Sequence, residues 1–287
     1  MDAMKNEHSV IELADALEVS ASGHAGHQHK DQGPRRRDDV RLGERLRVIF
    51  EENRRTYGSP RLQAALRQQG RRVGKNRIAR LQRTLGLRPV QKRRWRPRTT
   101  TTDPALPVAE NWLAKVPAPD RPNQIWVADI TYLRVAEGWL YMAAVMDLFS
   151  RQIVGWSLGS SLSTPLVTGA WTKAWQNRRP PPGLLHHSDR GCQYASATFR
   201  ALLRNHRAAA SMSRKANCYD NAAMESFWAT LKTECVGLES SCPKARATLL
   251  IFDFIEAFYN RSRLHSSLAY QSPLHFESHS TNHPKQH

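Results

Sequence analysis

The sequence has 287 residues, 40% of them hydrophobic, and a formal net charge of +18 at pH 7. A chain of this length supports one or two ordinary hydrophobic cores. Its longest apolar run, Leu140 to Met146, is far shorter than the roughly 18 residues of a membrane span, and the N-terminus lacks the pattern of a signal peptide. The four cysteines include no CxxC pair, which argues against zinc or a disulfide framework and predicts a reduced, intracellular protein.

Residues 1–33 are weakly patterned, and we expect one helix and otherwise little order there. The positive charge of the chain follows directly after this segment. Between Pro34 and Arg98, 22 lysines and arginines stand against five acidic residues, so this part alone carries a net +17. Positive charge this concentrated is typical of a nucleic-acid-binding module, and a solvated basic surface is the alternative.

Apolar residues at helical spacing predict three short helices within residues 34–96. The stretch TYGSPR (56–61) marks the turn before the second helix, because glycine accepts positive φ and proline can open a helix. Three such helices fit a helix-turn-helix domain, whose last helix enters the major groove. The residues that we expect to contact DNA are Arg61, Lys75, Asn76, Arg77 and Arg80.

Residues 97–124 have the composition of an interdomain linker. They contain six prolines and the threonine run 99–102. A short amphipathic turn around Leu106, Trp112 and Leu113 could dock on one of the domains. We therefore expect this segment to separate the basic module from the rest of the chain.

The pattern of residues 125–277 predicts an α/β domain with five strands. The predicted strands cover residues 125–135, 139–147, 152–158, 184–187 and 209–212. The predicted helices cover residues 164–176, 197–205, 221–235 and 247–259. The polar residues 278–287 are expected to form a disordered tail.

Three acidic residues are the candidate chemical site of this domain. Asp129 falls in the middle of an apolar strand, where an unpaired acid is costly to bury. Asp189 follows the end of a buried strand, the edge at which open α/β sheets bind ligands. Glu225 lies on the helix predicted for residues 221–235. Each acid also has a structural alternative. Asp129 could be a hydrogen-bonded core aspartate, Asp189 could form an Asx turn beside Gly191, and Glu225 could belong to a surface Glu–Lys pair.

Carboxylate oxygens are the preferred ligands of Mg²⁺ and Mn²⁺. Three acids gathered at one point would repel one another by roughly 1–4 kcal/mol per pair at about 4 Å, so such a cluster needs cations within it. Two ions, roughly 3.5–4 Å apart, hold the attacking and leaving oxygens in in-line phosphoryl transfer. Lys232 lies two helical turns after Glu225 on the same side and is placed to contact a phosphate.

Other polar residues near these acids have structural explanations. Asp147 is a fourth acidic candidate, but its position at a strand end favours capping of the turn to Ser150. Asp220 is expected to cap the Glu225 helix. His186 and His187, next to Asp189, could shuttle protons, although a buried position in the strand is favoured for both.

Five ordered motifs resemble those of one known family. They are TYGSPRL, PNQIWVADITYL, HHSDRGCQYAS, NCYDNAAMESFWATLKTE and YNRSRLHSSLAYQSPLHFE. Together they make the chain similar, from about Arg41 to Glu277, to the second-reading-frame product of bacterial insertion-sequence DDE transposases with a retroviral-integrase-like core. The resemblance implies an RNase H-like mixed five-stranded sheet flanked by helices, preceded by a small all-α helix-turn-helix domain.

The resemblance also implies a chemistry. Asp129, Asp189 and Glu225 correspond to the family's catalytic, metal-binding acids, and Lys232 to a basic residue that contacts DNA. The expected cofactor is two Mg²⁺ ions, for which Mn²⁺ can substitute. The expected reaction is strand cleavage followed by 3′-OH strand transfer at the terminal inverted repeats of an insertion element. A nuclease without strand joining and a non-catalytic repressor or transposon relic remain alternatives.

The expected partners are element-end and target DNA and further copies of the chain. The resemblance also implies an upstream-frame protein or frameshift fusion as a partner, because the family's active enzyme often begins with a leucine zipper and no sustained heptad repeat occurs in this sequence. The expected location is the bacterial cytoplasm, in association with the nucleoid.

Overall fold

The computed structural model describes residues 9–17, 20, 33–90, 109–213, 221–235 and 240–282. It divides the chain into two compact units, Met1–Pro89, here the helical unit, and Val90–His287, here the sheet unit. Among the described residues, no helix combines the length and apolar character needed to cross a membrane. The predicted helix cap at Asp220 lies outside the described residues.

The helical unit contains the three predicted helices of the basic module. After a short helix α1 (Val10–Ala16), these are α2 (Pro34–Glu52), α3 (Ser59–Gln68) and α4 (Lys75–Thr84). Pro60 stands in the first turn of α3, and Gly70 has a positive φ of 79° where the chain leaves that helix. The buried residues that hold α2, α3 and α4 together recur at helical spacing; they include Leu42, Leu46, Ile49, Phe50, Leu62, Leu66 and Ile78.

The sheet unit contains the predicted mixed five-stranded sheet. Its strands are β1 (Ile125–Val135), β2 (Gly138–Asp147), β3 (Ile153–Gly159), β4 (Leu185–Ser188) and β5 (Ala209–Met212). Their order is β3-β2-β1-β4-β5; β1, β2 and β3 pair antiparallel, whereas β4 is parallel to β1 and β5 is parallel to β4. The fold class expected from the sequence is therefore confirmed.

Helices cover both faces of the sheet, and each face has its own apolar core. One face packs against α5 (Thr164–Arg178), α6 (Cys192–Ala195) and α7 (Ala197–Asn205) through residues such as Trp126 and Trp171. The other face packs against α8 (Ala222–Glu234) and α9 (Lys244–Phe252) through residues such as Met142, Phe227 and Ile251. Because β1 alternates between the faces, its odd-numbered residues point towards α8.

Two segments differ from their predicted form. Helix α9 continues as a π-helical segment, Asp253–Tyr259, and the last helix, α10 (Pro273–Asn282), extends five residues into the predicted disordered tail.

The second half of the predicted linker also has a defined place. The backbone N–H groups of Trp112 and Leu113 both donate to Ser211 Oγ, which fixes this turn on strand β5 at the edge of the sheet.

Helix α5 approaches β3 so closely that only a glycine fits at position 155. A Cβ there would lie 2.5 Å from Ala174 N and closer still to Ala170 O, both of them backbone atoms. We therefore expect Gly155→Ala to lower the free energy of unfolding by about 3 kcal/mol, since neither backbone atom can move away without displacing the helix. Urea denaturation followed by fluorescence measures this, because all eight tryptophans lie after residue 90.

Gly169, on α5 in the same interface, provides the matched control. A Cβ at this position would meet Ser157 Cβ at 3.5 Å, an ordinary contact. Gly169→Ala should leave stability unchanged or raise it by roughly 0.5–1 kcal/mol, the usual gain of alanine over glycine within a helix. Equal losses in both variants would contradict the assigned close approach.

Candidate active site

Asp129 lies on β1 among residues that face α8. Its side chain is partly buried and accepts two hydrogen bonds: Oδ1 from Ile130 N at 2.8 Å, and Oδ2 from Trp228 Nε1 at 2.9 Å. The first bond is local to the strand, whereas the second comes from helix α8. Asp129 therefore has a fixed orientation, and one of its oxygens is held by the helix that carries Glu225.

Asp189 follows the last residue of β4, and the sheet register places it near Asp129. In the parallel pairing of β1 with β4, Val127 is opposite His187, so each aspartate comes two residues after this pair on neighbouring strands. Asp189 Oδ1 accepts a hydrogen bond from Gly191 N at 2.9 Å, which is the Asx turn considered as the structural alternative. This hydrogen bond orients the carboxylate. It also requires a glycine at position 191, because a Cβ there would lie only 2.9 Å from Asp189 Oδ1.

Glu225 lies in the first turn of α8 and is exposed to solvent. Trp228 follows one turn later and Lys232 two turns later, so the three side chains share one side of the helix. Lys232 Nζ lies 5.3 Å from the centre of the Tyr132 ring. Burial lowers the pKa of Lys232, and the nearby charge of Asp129 partly opposes this shift.

The aspartates interact electrostatically, with a smaller contribution from Glu225. Burial raises the pKa of Asp129 to about 7; the negative charge of Asp189 adds to this, the hydrogen bond from Trp228 opposes it, and Glu225 adds a weaker repulsion. Within the described parts of the chain, no three acidic, histidine or cysteine side chains are close enough to hold a metal ion together.

The donor chemistry of the site fits a hard divalent cation. Asp129 and Asp189 offer carboxylate oxygens, and the charged form of Asp129 is disfavoured first by burial and then by the charge of Asp189. A cation would favour the charged carboxylate and lower the pKa of Asp129. The residues brought together here are thus a pair of aspartates with Glu225 beside them, rather than a completed set of three ligands.

Two aromatic residues near the acids were missed as functional candidates. No motif in the sequence assigns a role to Trp228, and only the folded structure shows that its Nε1–H donates to Asp129. Tyr194, on α6, is buried, and its hydroxyl has no hydrogen-bond partner among the described residues. Burial and the charges of Asp129 and Asp189 raise the pKa of Tyr194 well above its ordinary value, so it stays a neutral donor.

The other polar candidates take structural positions. Asp147 is fully buried; Oδ1 accepts from the N–H groups of Phe149 and Ser150, and Oδ2 from Asn123 N, which confirms that it caps the turn. His186 and His187 are buried in β4. Burial lowers the pKa of His186 to about 3, with a further contribution from His187, so His186 is uncharged near neutral pH.

The predicted DNA contacts of the helical unit have three different environments. Arg77 donates to Asp39 Oδ1 and to Asp38 Oδ2, both at 2.7 Å, and Arg80 pairs with Asp39. Lys75 and Asn76, at the start of α4, are exposed. The remaining predicted contact, Arg61, is partly buried, with its guanidinium 5.7 Å from the centre of the Tyr57 ring.

Comparison with family models gives the same division of the chain. An HTH-like domain model matches residues 37–95, and two integrase core domain models match residues 119–218 and 206–273. These matches cover the helical bundle and, between them, all five strands with the three acids.

Three relatives show how far the similarity extends. The insertion element IS600 31 kDa protein of Shigella sonnei is 43% identical, over 90% of this chain and 94% of its own. The transposase for insertion sequence element IS904 of Lactococcus lactis is 37% identical, over 84% of this chain and 94% of its own. Transposase InsF for insertion sequence IS3A of Escherichia coli is 41% identical, over 80% of each chain.

The raised pKa of Asp129 predicts that the free energy of unfolding of the metal-free protein depends on pH. Between pH 4 and pH 7 the folded protein holds a proton that the unfolded chain has lost, so stability falls as pH rises through this window. Asp129→Asn removes the charge and should stabilise the chelator-treated protein at pH 8 by a few kcal/mol, at about 1.4 kcal/mol per pKa unit. At pH 4 the gain should vanish. Urea denaturation at both pH values gives the comparison.

Asp120, which is exposed on the sheet unit, serves as the control for this substitution. Asp120→Asn should leave stability unchanged at both pH values. A loss of stability for Asp129→Asn at pH 8 as large as at pH 4 would refute the raised pKa of Asp129.

The ion pairs of α4 predict different roles for Arg77 and Lys75. Arg77→Ala should loosen α2 and α4, because Arg77 bridges the two aspartates, and speed their amide exchange roughly fivefold for a loss of about 1 kcal/mol. Lys75→Ala should leave exchange unchanged but weaken binding to duplex DNA and reduce the salt slope by about 0.9. Hydrogen exchange and fluorescence anisotropy measure these effects. Unchanged exchange in Arg77→Ala would exclude the bridging role.

Proposed function

The chain belongs to the insertion-sequence transposases with an integrase core domain, and we propose that it cuts DNA at the ends of an insertion element and joins the freed 3′-OH to target DNA. The observation that carries this proposal is that Asp129 and Asp189 each come two residues after Val127 and His187, the last residue pair between the parallel strands β1 and β4. The two carboxylates repel each other, with Glu225 beside them, and a divalent cation bound between them would offset this repulsion. Such ions also hold the phosphodiester in phosphoryl transfer.

The proposed catalytic residues are Asp129, Asp189 and Glu225. Asp129 and Asp189 would hold one Mg²⁺, and Asp129 and Glu225 a second, with Mn²⁺ as a substitute. When bound, the ions supply activation of the attacking water or 3′-OH and neutralise charge on the phosphate. Trp228 keeps Asp129 oriented by donating to Oδ2. Lys232 supplies a positive charge on the same side, where a phosphate of the bound strand would lie.

The helical unit would hold duplex DNA mainly through its phosphates. Lys75 and Asn76 are exposed at the start of α4, where the free backbone N–H groups also favour an anion. Arg77 and Arg80 remain DNA-contact candidates, but each must share its charge with Asp38 or Asp39. Such binding should weaken strongly with salt. Two element ends must be joined in one reaction, which favours a multimer of this chain that an upstream-frame protein or frameshift fusion completes.

Asp189→Asn tests the catalytic proposal. It removes one charge of the aspartate pair while keeping an oxygen that can accept from Gly191, so the loop should persist. We expect Mg²⁺-dependent cleavage of a labelled duplex carrying one end of the chain's own element to fall at least about 100-fold. Binding of the same duplex should be retained. Gel analysis of the cleavage products and anisotropy of the uncut duplex give the two readouts.

Asp120→Asn, an acid removed from an exposed site, should cleave normally. Unchanged cleavage in Asp189→Asn would eliminate the catalytic assignment. If the unmutated chain bound the duplex but never cut it, the DNA-binding repressor would become the better function. Cleavage without joined product would favour the nuclease.

A further inference from the structure

Beside the candidate active site, two cations and two aromatic rings form a continuous row. Lys232 Nζ lies 5.3 Å from the centre of the Tyr132 ring. The Tyr132 and Trp139 rings are 5.0 Å apart at 85°, and Arg134 Cζ lies 5.3 Å from the centre of the Trp139 ring. These four residues are here called the hairpin row.

The sheet register produces this row. Arg134 on β1 is directly opposite Trp139 on β2, and Tyr132 is one place further along on the same face. Strand β4 pairs with β1 only as far as Val127. Beyond that residue β1 has no partner on its β4 side among the described strands, which leaves room for Lys232 to reach Tyr132 from α8.

The exposed end of the row has unusual chemistry for a sheet surface. Trp139 is 43% exposed, and the neighbouring Arg134 is also exposed. The carboxylate of the nearby Glu137 accepts a hydrogen bond from Lys244 N at the start of α9, which ties this side chain to α9. The hairpin row therefore has one accessible ring, that of Trp139, and a cation at each end, Lys232 and Arg134.

We propose that the hairpin row binds single-stranded DNA running from the candidate active site. Aromatic rings stack on unpaired bases, and lysine and arginine contact the adjacent phosphates. Duplex DNA presents phosphates but no free base face, so the two rings favour a single strand. The proposal deepens the proposed function, since strand cleavage at the acids would release a strand end at Lys232.

A pair of synthetic probes isolates this surface from the helical unit. One is a fluorescein-labelled 20-base-pair duplex with a 3′ overhang of eight thymidines, and the other is the same duplex with blunt ends. Both are measured by anisotropy with the full-length chain in EDTA, which prevents cleavage. The helical unit contributes equally to both probes, so the ratio of the two affinities reports on the overhang alone.

Trp139→Ala should weaken binding of the overhang probe about fivefold or more and leave the blunt probe unchanged. Trp139→Phe keeps a ring and should retain most of the preference. Arg134→Ala should reduce the salt slope of the overhang probe by about 0.7, the value for one phosphate of a single strand. As an independent readout, 5-iodouracil placed in the overhang should crosslink to Trp139 or Tyr132 on irradiation.

Phe252 provides a matched control at the opposite edge of the sheet. It is 55% exposed and packs on Trp156 of β3, whose ring lies 5.3 Å from Lys173 Nζ. Phe252→Ala should keep the overhang preference. The proposal is overturned if Trp139→Ala keeps the preference, if it weakens both probes equally, or if the crosslinks map only to other residues.

The proposed function and the hairpin row can fail separately. Asp189→Asn should lose cleavage but keep the overhang preference. If the unmutated chain does not cleave but Trp139→Ala loses the preference, the function fails and the row stands. If the chain cleaves as proposed but no variant of the row changes the preference, the row fails and the function stands.

Discussion

Burial of Asp129 next to the charge of Asp189 is the constraint on which the site depends. The fold places both acids two residues past the last pair of the β1–β4 ladder, and hydrogen bonds from Trp228 to Asp129 and from Gly191 to Asp189 hold their carboxylates there. The cost appears in the raised pKa of Asp129. The apolar cores on both faces of the sheet offset this unfavourable free energy, because burial of their side chains stabilises the fold.

Helix α8 connects this constraint to the rest of the domain. Its apolar side, including Phe227 and Leu231, is buried in the core between helix and sheet. Its other side carries Glu225 and Lys232, and Trp228 belongs to both, since it is buried and also donates to Asp129. One residue therefore joins the packing of the helix to the orientation of the acid. A shift of α8 would move Glu225 and the hydrogen bond on Asp129 together.

Much of the fold was accessible from sequence because its elements follow local rules. The strands alternate, the helices have apolar stripes, and Pro60 and Gly70 bound α3, so these elements were predicted closely. Contacts between residues distant in sequence were not accessible. The bond from Trp228 to Asp129 spans 99 positions, and the pairs of Arg77 with Asp38 and Asp39 span about forty. A residue type indicates a hydrogen-bonding capacity, whereas only the fold supplies its partner.

The same distinction changes the meaning of the positive charge in the helical unit. The net +17 of residues 34–98 indicates affinity for a polyanion, yet the sequence cannot show which cations face it. Asp38 and Asp39 lie on α2 and engage Arg71, Arg77 and Arg80, so three of the cations contribute to helix packing as well as to the field. Charge at the start of α4 then matters more than the total, because Lys75 adds to the free N–H groups of a helix N-terminus. Positive charge sets how strongly a surface attracts DNA, and internal ion pairs decide where on that surface the DNA can be held.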